Sequence, residues 1–320
     1  LRYGLSNRHF NAMATINFRN SQLHDESISL SGGKFVSQFN EAQPQPEFGN
    51  TWQTLLLGRN YMKLYEHYFV RATYAREIYN GIDGSLSALY AQRFPLENTR
   101  VYTFFNAMKK NLTPNGMELP DLRNYNDNIT RHNNLRIDLQ LHFTFGQQFI
   151  TRPDAKFRVG SKYPELTVVY KRAIPIKGFS DLDYDFVEAQ LYGLIPLKVV
   201  GAMHYRFGGG GFPTNNKVSY ADFKHFSGNF LTQGRTEPLG FYTLHYYRHS
   251  TNRWFAEAHL EHHFGGFLFN KIPGIRTLKL DEIIGFHMLY TPTRQQCLQV
   301  DAGIGNILKI MRVDFVVGFG

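Results

Sequence analysis

The chain has 320 residues, a formal net charge of +9 and 42% hydrophobic residues, a size that suits either two globular domains or one large β unit. No apolar stretch approaches the roughly 18 uninterrupted residues of a membrane-spanning helix, because Lys198 interrupts even the stretch around 194–203, so a helical membrane protein is excluded. The basic residues are scattered, which argues against nucleic acid as a partner, and the single Cys297 excludes an internal disulfide.

The N-terminal third contains alternating rows of apolar and polar residues. Residues 1–5 lack the charged and apolar regions of a signal peptide, so we expect a mature fragment that begins inside a strand. Alternation is clear in 9–19 and 27–31, which predicts two strands. The stretch 51–66 is ambiguous: 51–59 is predicted as a strand, yet Leu55-Leu56-Leu57 interrupts the alternation, and 60–65 could form a helical turn.

The clearest strand covers residues 135–146. Leu135, Ile137, Leu139, Leu141, Phe143 and Phe145 alternate with polar residues and Gly146. A helix would scatter these six apolar side chains around its axis, whereas a strand places them all on one face. The segment therefore has one apolar face and one polar face.

Similar rows follow toward the C-terminus. They include 197–207 and 254–264, with less regular rows at 67–79, 83–94, 162–174, 184–195, 240–249, 279–290, 296–307 and 310–319. Long connections are predicted over 95–134, with turn residues between Pro114 and Pro120, and over 209–239, which opens with the glycines of 208–211. Tight turns are predicted at Pro196 and at 80–82.

These rows predict an all-β fold: a transmembrane antiparallel β-barrel of the outer-membrane type that occupies residues 1–320, with about 15–16 strands of about ten residues, near the length that a tilted strand needs to cross a bilayer. The last row ends with an aromatic residue, as outer-membrane barrels commonly do, and we expect Val313, Phe315, Val317 and Phe319 to act as a C-terminal assembly signal. If this strand ends in the periplasm, backward counting puts both long connections outside and 37–50 on the periplasmic side.

The polar faces of the rows are expected to line the barrel lumen. The candidates are Arg136, Asp138, His142, Lys198, His204, Arg206, Arg253, Glu257, His259 and Glu261. His259, Glu261 and His263 alternate on one strand and could meet His245, but zinc needs three or four tightly converging donors and nothing in the spacing forces this. We expect a hydrogen-bonded ladder, without metal or cofactor. No motif pairs a serine with a histidine, so no enzymatic activity is expected.

Several stretches resemble the DUF5686 family of outer-membrane proteins from Bacteroidota, and the resemblance covers nearly the whole chain. They are residues 262–273 and 285–292, together with 59–65, 160–164, 222–229 and 312–315. The resemblance implies the C-terminal barrel of a longer protein, whose N-terminal β-sandwich domain is absent here. It also implies a distant similarity to the Omp85 superfamily, which inserts or exports outer-membrane proteins.

The Omp85 hallmark is an Arg-Gly-aromatic motif in a long loop between the eleventh and twelfth of sixteen strands. Backward counting puts 209–239 in that place, but the chain has Gly234-Arg235-Thr236 there, and Lys177-Gly178-Phe179 lies in a different connection. The motif is therefore absent from the expected loop, which weakens the assignment to the superfamily.

Three functions remain open from the sequence. The first is an Omp85-like barrel in the bacterial outer membrane that takes part in outer-membrane protein assembly or transport within a larger complex, with other envelope proteins as partners. The second is a pore or channel for small solutes, suggested by the charged lumen face. The third is a structural barrel that anchors a periplasmic domain. In each case outer-membrane lipid and lipopolysaccharide are expected to surround the chain.

Overall fold

The computed structural model describes residues 1–3, 9–21, 25–42, 44–58, 60–96, 103–104, 130–152, 156–228, 239–292 and 295–320. Within these ranges the chain forms fifteen strands and one α-helix. The strands are β1 (Arg2–Tyr3), β2 (Phe10–Ser21), β3 (Glu26–Gln38), β4 (Leu64–Tyr79), β5 (Ile82–Pro95), β6 (His132–Thr144), β7 (Gln148–Thr151), β8 (Lys156–Gly160), β9 (Glu165–Ala173), β10 (Asp183–Pro196), β11 (Ala202–Lys217), β12 (Phe255–His263), β13 (Asp281–Thr291), β14 (Gln295–Ile307) and β15 (Met311–Phe319).

Thirteen of these strands form one sheet in the order β1-β2-β3-β4-β5-β6-β9-β10-β11-β12-β13-β14-β15. Every neighbouring pair is antiparallel. This confirms the predicted all-β antiparallel class, whereas the expected 15–16 strands become thirteen in the main sheet, because β7 and β8 pair only with each other. Among the described residues no hydrogen-bonded pairing joins β15 to β1.

The two faces of the sheet differ as an outer-membrane barrel requires. One face, which we call the outer face, exposes large apolar side chains on most of its strands; examples are Phe18, Leu30, Val70, Leu86, Leu139, Ile195, Phe286 and Val300. The opposite inner face buries charged and polar groups, among them Arg93, Arg136, Glu188, His259 and Asp301. In a soluble protein such an apolar surface would be covered, so this pattern is typical of a barrel surrounded by lipid.

Residues 51–57 belong to a helix and not to the predicted strand. Helix α1 (Glu47–Leu57) starts after Pro46 and ends at Gly58, whose φ of 63° allows its N–H to reach the carbonyls of Gln53 and Thr54. Glu47 in the first turn favours this end of the helix, where the helix dipole is positive. The broken alternation at Leu55-Leu56-Leu57 was therefore a helical signal. Among the described residues no helix is long and apolar enough to cross a bilayer.

Residues 240–249 also lack the predicted strand. Tyr247 has a φ of 62°, which a strand does not accommodate, and the buried residues Phe241, Leu244 and Tyr247 are spaced by three. This segment packs against the inner face and is described below. Its aromatic residues are therefore buried inside the curved sheet and do not alternate between two faces.

Strand β11 extends through the glycines of 208–211, which the sequence suggested would open a loop. An added Cβ would lie 2.8 Å from the Glu257 carboxylate at Gly208 and 2.2 Å from the Val187 carbonyl at Gly210. The glycines therefore let neighbouring strands approach closely within the sheet. The preceding turn covers 197–201.

The connections fall at two ends of the sheet, since successive strands are antiparallel. One end holds the connections around 22–25, 80–81, 145–164, 197–201, 264–280 and 308–310, and the other holds 39–63, 96–131, 174–182, 218–254 and 292–294. The sequence prediction put 37–50 at the opposite end from the two long connections, but the structure places 39–63, 96–131 and 218–254 at one end, where β15 also finishes. The predicted combination, in which β15 ends in the periplasm and both long connections lie outside, is therefore wrong. The predicted turn residues 114–120 and Gly234-Arg235-Thr236 lie outside the described ranges.

Candidate functional site

A segment between β11 and β12 packs against the concave inner face of the sheet. We call its described parts, 218–228 and 239–254, the inner segment. It contacts strands from β5 to β15, and its residues Tyr220, Phe223, Phe226, Phe241 and Leu244 belong to the main cluster of buried apolar side chains. A segment can touch strands so far apart in the sheet only if the sheet curves around it. The inner segment thus occupies part of the lumen.

The first half of the inner segment is held by buried charge. Asp222 accepts two hydrogen bonds from Arg93 of β5, at 2.5 and 3.1 Å, and one from Arg136 of β6 at 3.2 Å. Asp222 and Arg93 are each only 1% exposed in their side chains. Burial acts to raise the pKa of Asp222, but the two guanidinium groups outweigh it and hold this pKa well below its usual range. Asp222 is thus a buried carboxylate clamped by two strands.

Further contacts fix the same half of the inner segment. Lys224 forms an ion pair with Glu188 of β10, and its ammonium lies 5.0 Å from the centre of the Phe255 ring on β12. His225 hydrogen-bonds through Nδ1 to the Ser250 hydroxyl at 2.7 Å and through Nε2 to a backbone carbonyl at 3.0 Å. Burial lowers the pKa of His225 to about 3, so its imidazole is neutral near pH 7.

The second half of the inner segment is held by a ring contact and by hydrogen bonds from β12 to β15, without an ion pair of its own among the described residues. The Phe241 ring meets the His259 ring edge-on with centroids 4.7 Å apart. The Tyr242 backbone N–H donates to Gln299 of β14 at 2.9 Å, and Arg312 of β15 donates to the Tyr242 hydroxyl at 2.6 Å. The two halves are joined by reciprocal backbone hydrogen bonds between Lys224 and Thr251.

A chain of hydrogen bonds crosses four strands beneath Phe241. Arg206 Nη2 lies 3.2 Å from His259 Nε2, His259 Nδ1 lies 2.9 Å from His287 Nδ1, and His287 Nε2 lies 2.8 Å from Asp301 Oδ1. Arginine can only donate, so His259 accepts at Nε2 and donates from Nδ1 to His287, which in turn donates to Asp301. One consistent set of tautomers therefore satisfies both buried imidazoles.

Part of this chain has metal-ligand geometry. Ligand atoms of Glu261, His287 and Asp301 lie within 4.8 Å of one another, all three residues being buried. Arg312, however, donates to Glu261 at 2.7 Å and approaches Asp301 at 3.5 Å, so a cation already neutralises this group. A divalent metal ion would have to displace the guanidinium and the His287–Asp301 bond. The arrangement corresponds to the hydrogen-bonded ladder expected from the sequence.

A model described as the C-terminal domain of DUF5686, a family of unknown function, matches residues 1–304. The chain belongs to this family. No curated protein sequence matches it.

A solved structure shares the fold of this DUF5686 domain: the crystal structure of BamA from Haemophilus ducreyi lacking POTRA domains 1–3, with a TM-score of 0.53 and 11% sequence identity. The match covers 97% of this chain and 58% of that chain, so the DUF5686 domain spans little more than half the length of the BamA chain. The likeness at this identity shows the fold alone: the sheet has the architecture of the BamA barrel.

Most of the lumen candidates in the DUF5686 domain lie on the inner face. Those in strands on this face are Arg136, Asp138, His142, His204, Arg206, Glu257, His259 and Glu261. His142 hydrogen-bonds to Thr167 at 3.0 Å, and the ring of His204 lies 4.9 Å from that of His263. The C-terminal row of Val313, Phe315, Val317 and Phe319 is exposed on the outer face of β15.

Two lumen candidates are placed elsewhere, which corrects the prediction. Lys198 lies exposed in the 197–201 turn with a φ of 56°, because the chain reverses direction there. Arg253 lies exposed in a bend before β12, beyond the last strand pair. His245, considered as a partner for His259, belongs to the irregular inner segment and not to a strand.

Sequence reasoning missed residues that hold the inner segment. Arg93, Asp222, His287, Gln299 and Arg312 were not singled out, although Asp222, His287 and Arg312 fall within stretches that resemble the family. Arg93 and Asp222 are separated by 129 positions, so no local pattern connects them. A polar residue in an otherwise apolar row indicates a buried polar contact, but the sequence does not show which distant residue forms the other half of that contact.

Proposed function

We propose that this domain is an Omp85-like barrel of the bacterial outer membrane that takes part in outer-membrane protein assembly or transport within a larger complex. The observation that carries the proposal is the likeness of the sheet to the BamA barrel along 97% of the chain. The outer face supports the membrane location, since its large apolar side chains would be stabilised by lipid. Lipid, lipopolysaccharide and other envelope proteins are the proposed partners, and nucleic acid is not.

The inner segment favours a role other than a permanently open channel. Asp222, Lys224 and Phe241 reach different walls of the curved sheet, so the segment obstructs the space between β5 and β15. Fixing a chain of this length in the lumen costs conformational entropy, which its buried ion pairs and ring contacts offset. We propose no enzymatic activity for the domain, because its buried histidines are engaged in structural hydrogen bonds.

The proposal is tested by depleting the full-length protein in its native host and quantifying the outer-membrane proteome. We expect a subset of other β-barrel proteins to fall in abundance in the outer-membrane fraction and to recover when the wild-type protein is restored. Unchanged levels of every outer-membrane protein, with depletion verified, would overturn the assembly role.

A second candidate, a pore for small solutes, is favoured by one observation. On the inner face of β2 to β4 lies a cavity of about 580 Å³ whose lining includes Thr15, Ser29, Ser31 and Arg71. Small polar side chains of this kind suit a water-filled passage. Folded protein in a planar bilayer would then conduct ions, and replacing Ser29 with Trp would reduce the conductance. A silent bilayer with verified insertion would exclude the pore.

A further inference from the structure

A cavity of about 670 Å³ opens on the outer face where β11 and β12 separate. The pairing of these strands ends at Gly210 and Phe255, whereas β11 continues to Lys217 along β10 alone. The cavity lies beyond this point, and its volume is within the range of about 300–1,000 Å³ that ligand pockets occupy. Val187 and Trp254, which line it, are exposed on the outer face, whereas Phe212 at its base belongs to the buried cluster.

Most of the cavity wall is apolar. It includes Val187 of β10, Gly211 and Pro213 of β11, and Trp254. Trp254 stacks on Tyr290 of β13 with centroids 4.7 Å apart and an interplanar angle of 19°. Tryptophan and tyrosine are enriched where a barrel meets the headgroup level, so the cavity lies at the edge of the apolar surface.

One end of the cavity carries a positive charge without a counterion. Arg253 is exposed, and its guanidinium forms no ion pair with any carboxylate in the described part of the chain. Asn215 adds a polar group at the same cavity, although its amide donates to the Asn252 carbonyl at 3.2 Å. An apolar groove that ends at a free cation is complementary to an amphipathic anion.

We propose that this cavity binds one molecule of lipid A, the phosphorylated anchor of lipopolysaccharide, with an acyl chain along Val187 and Trp254 and a phosphate at Arg253. The inference rests on the proposed outer-membrane location. The cavity lies at the end of the sheet that carries the long connections 96–131 and 218–254 and where β15 also finishes. Outer-membrane barrels expose their longer loops to the outside, where lipopolysaccharide forms the outer leaflet, so we assign this end, and with it the end of β15, to the outside. That position favours lipid A over a glycerophospholipid.

The test is native mass spectrometry of the full chain in detergent micelles, titrated with purified lipid A and, separately, with phosphatidylglycerol. Arg253→Glu should raise the lipid A concentration for half-occupancy about tenfold or more, the effect of losing a charge-assisted contact. Val187→Trp should have a similar effect, because the larger ring fills the groove. We expect wild-type protein to retain one lipid A and to bind phosphatidylglycerol more weakly.

Two matched variants serve as controls. Arg276→Glu reverses another exposed arginine at the opposite end of the sheet, and Val70→Trp enlarges another exposed valine on the outer face of β4. Both should bind lipid A within about twofold of wild type. Equal binding by all four folded variants, or tighter binding of phosphatidylglycerol by wild type, would overturn the proposal. Neither outcome bears on the assembly role, which the depletion experiment tests by itself.

Discussion

Replacing Asp222 with alanine should release the first half of the inner segment from the lumen wall. The substitution leaves Arg93 buried without its carboxylate, whereas Arg136 keeps Asp138, whose carboxylate lies 2.7 Å from its Nε. Removing one partner of a buried ion pair typically costs about 3–5 kcal/mol, because the remaining charge stays desolvated. We place the effect near the lower value, since the Arg93 guanidinium also lies 5.1 Å from the Tyr65 ring centre.

Hydrogen–deuterium exchange followed by mass spectrometry measures this release. At about 1.4 kcal/mol per tenfold, peptides covering 218–228 should exchange between roughly a hundredfold and a few thousandfold faster in Asp222→Ala. The control is Asp185→Asn, which weakens a partly exposed pair with Arg172 and should change local exchange by less than about tenfold. The double variant Asp222→Leu with Arg93→Met removes both charges and should restore most of the protection. Wild-type exchange of 218–228 in Asp222→Ala would refute the reasoning.

Three further predictions follow from the structure. The His225 pKa of about 3 lies below the unfolded value of 6.5, so the contribution of its neutral imidazole to the free energy of unfolding is complete above pH 6.5. This contribution, at most about 5 kcal/mol, is lost as the pH falls toward 3. Exchange of 218–228, corrected for intrinsic rates, should therefore accelerate between pH 6.5 and pH 3, and His225→Gln should flatten this pH dependence. Gly210→Ala should destabilise the barrel by about 1–3 kcal/mol in urea titrations, because its Cβ would lie 2.2 Å from the Val187 carbonyl. Phe315→Asp, on the exposed face of β15, should lower the amount of heat-resistant folded protein in the outer membrane, whereas unchanged levels would argue against the proposed C-terminal signal.

The sequence predicted most strands because most of them have one apolar and one polar face. Strand β6 is the clearest example: Ile137 and Leu139 are exposed on the outer face, while Arg136 is buried on the inner face. One apolar face and one polar face impose a period of two along a strand, which is readable without knowledge of the partner strands. The predicted and observed bounds of β6, β10 and β12 therefore agree to within a few residues.

The same reasoning failed where a segment is buried on several sides. Residues 240–249 have aromatic content like that of a strand, but Phe241 and Tyr247 pack inside the curved sheet, so no period of two applies. The hairpin of β7 and β8 was missed because it lies outside the main sheet and is tied to it by ion pairs such as Arg158 to Asp83 at 2.6 Å. Such contacts depend on tertiary structure that local patterns do not specify.

The two halves of the inner segment should respond differently to a loss of charge. The first half depends on Asp222 and Lys224, whose partners are ions, whereas the second half is held by Phe241 and by the bond from Tyr242 to Gln299. Asp222→Ala should therefore speed exchange in 218–228 while 241–247 stays protected, and Gln299→Leu should give the reverse. If either variant released both halves equally, the backbone bridge between Lys224 and Thr251 would couple them into one unit, and the segment would leave the lumen in a single step. If the halves were released independently, the first half could leave β5 and β6 while the second half stays bound to β12–β15.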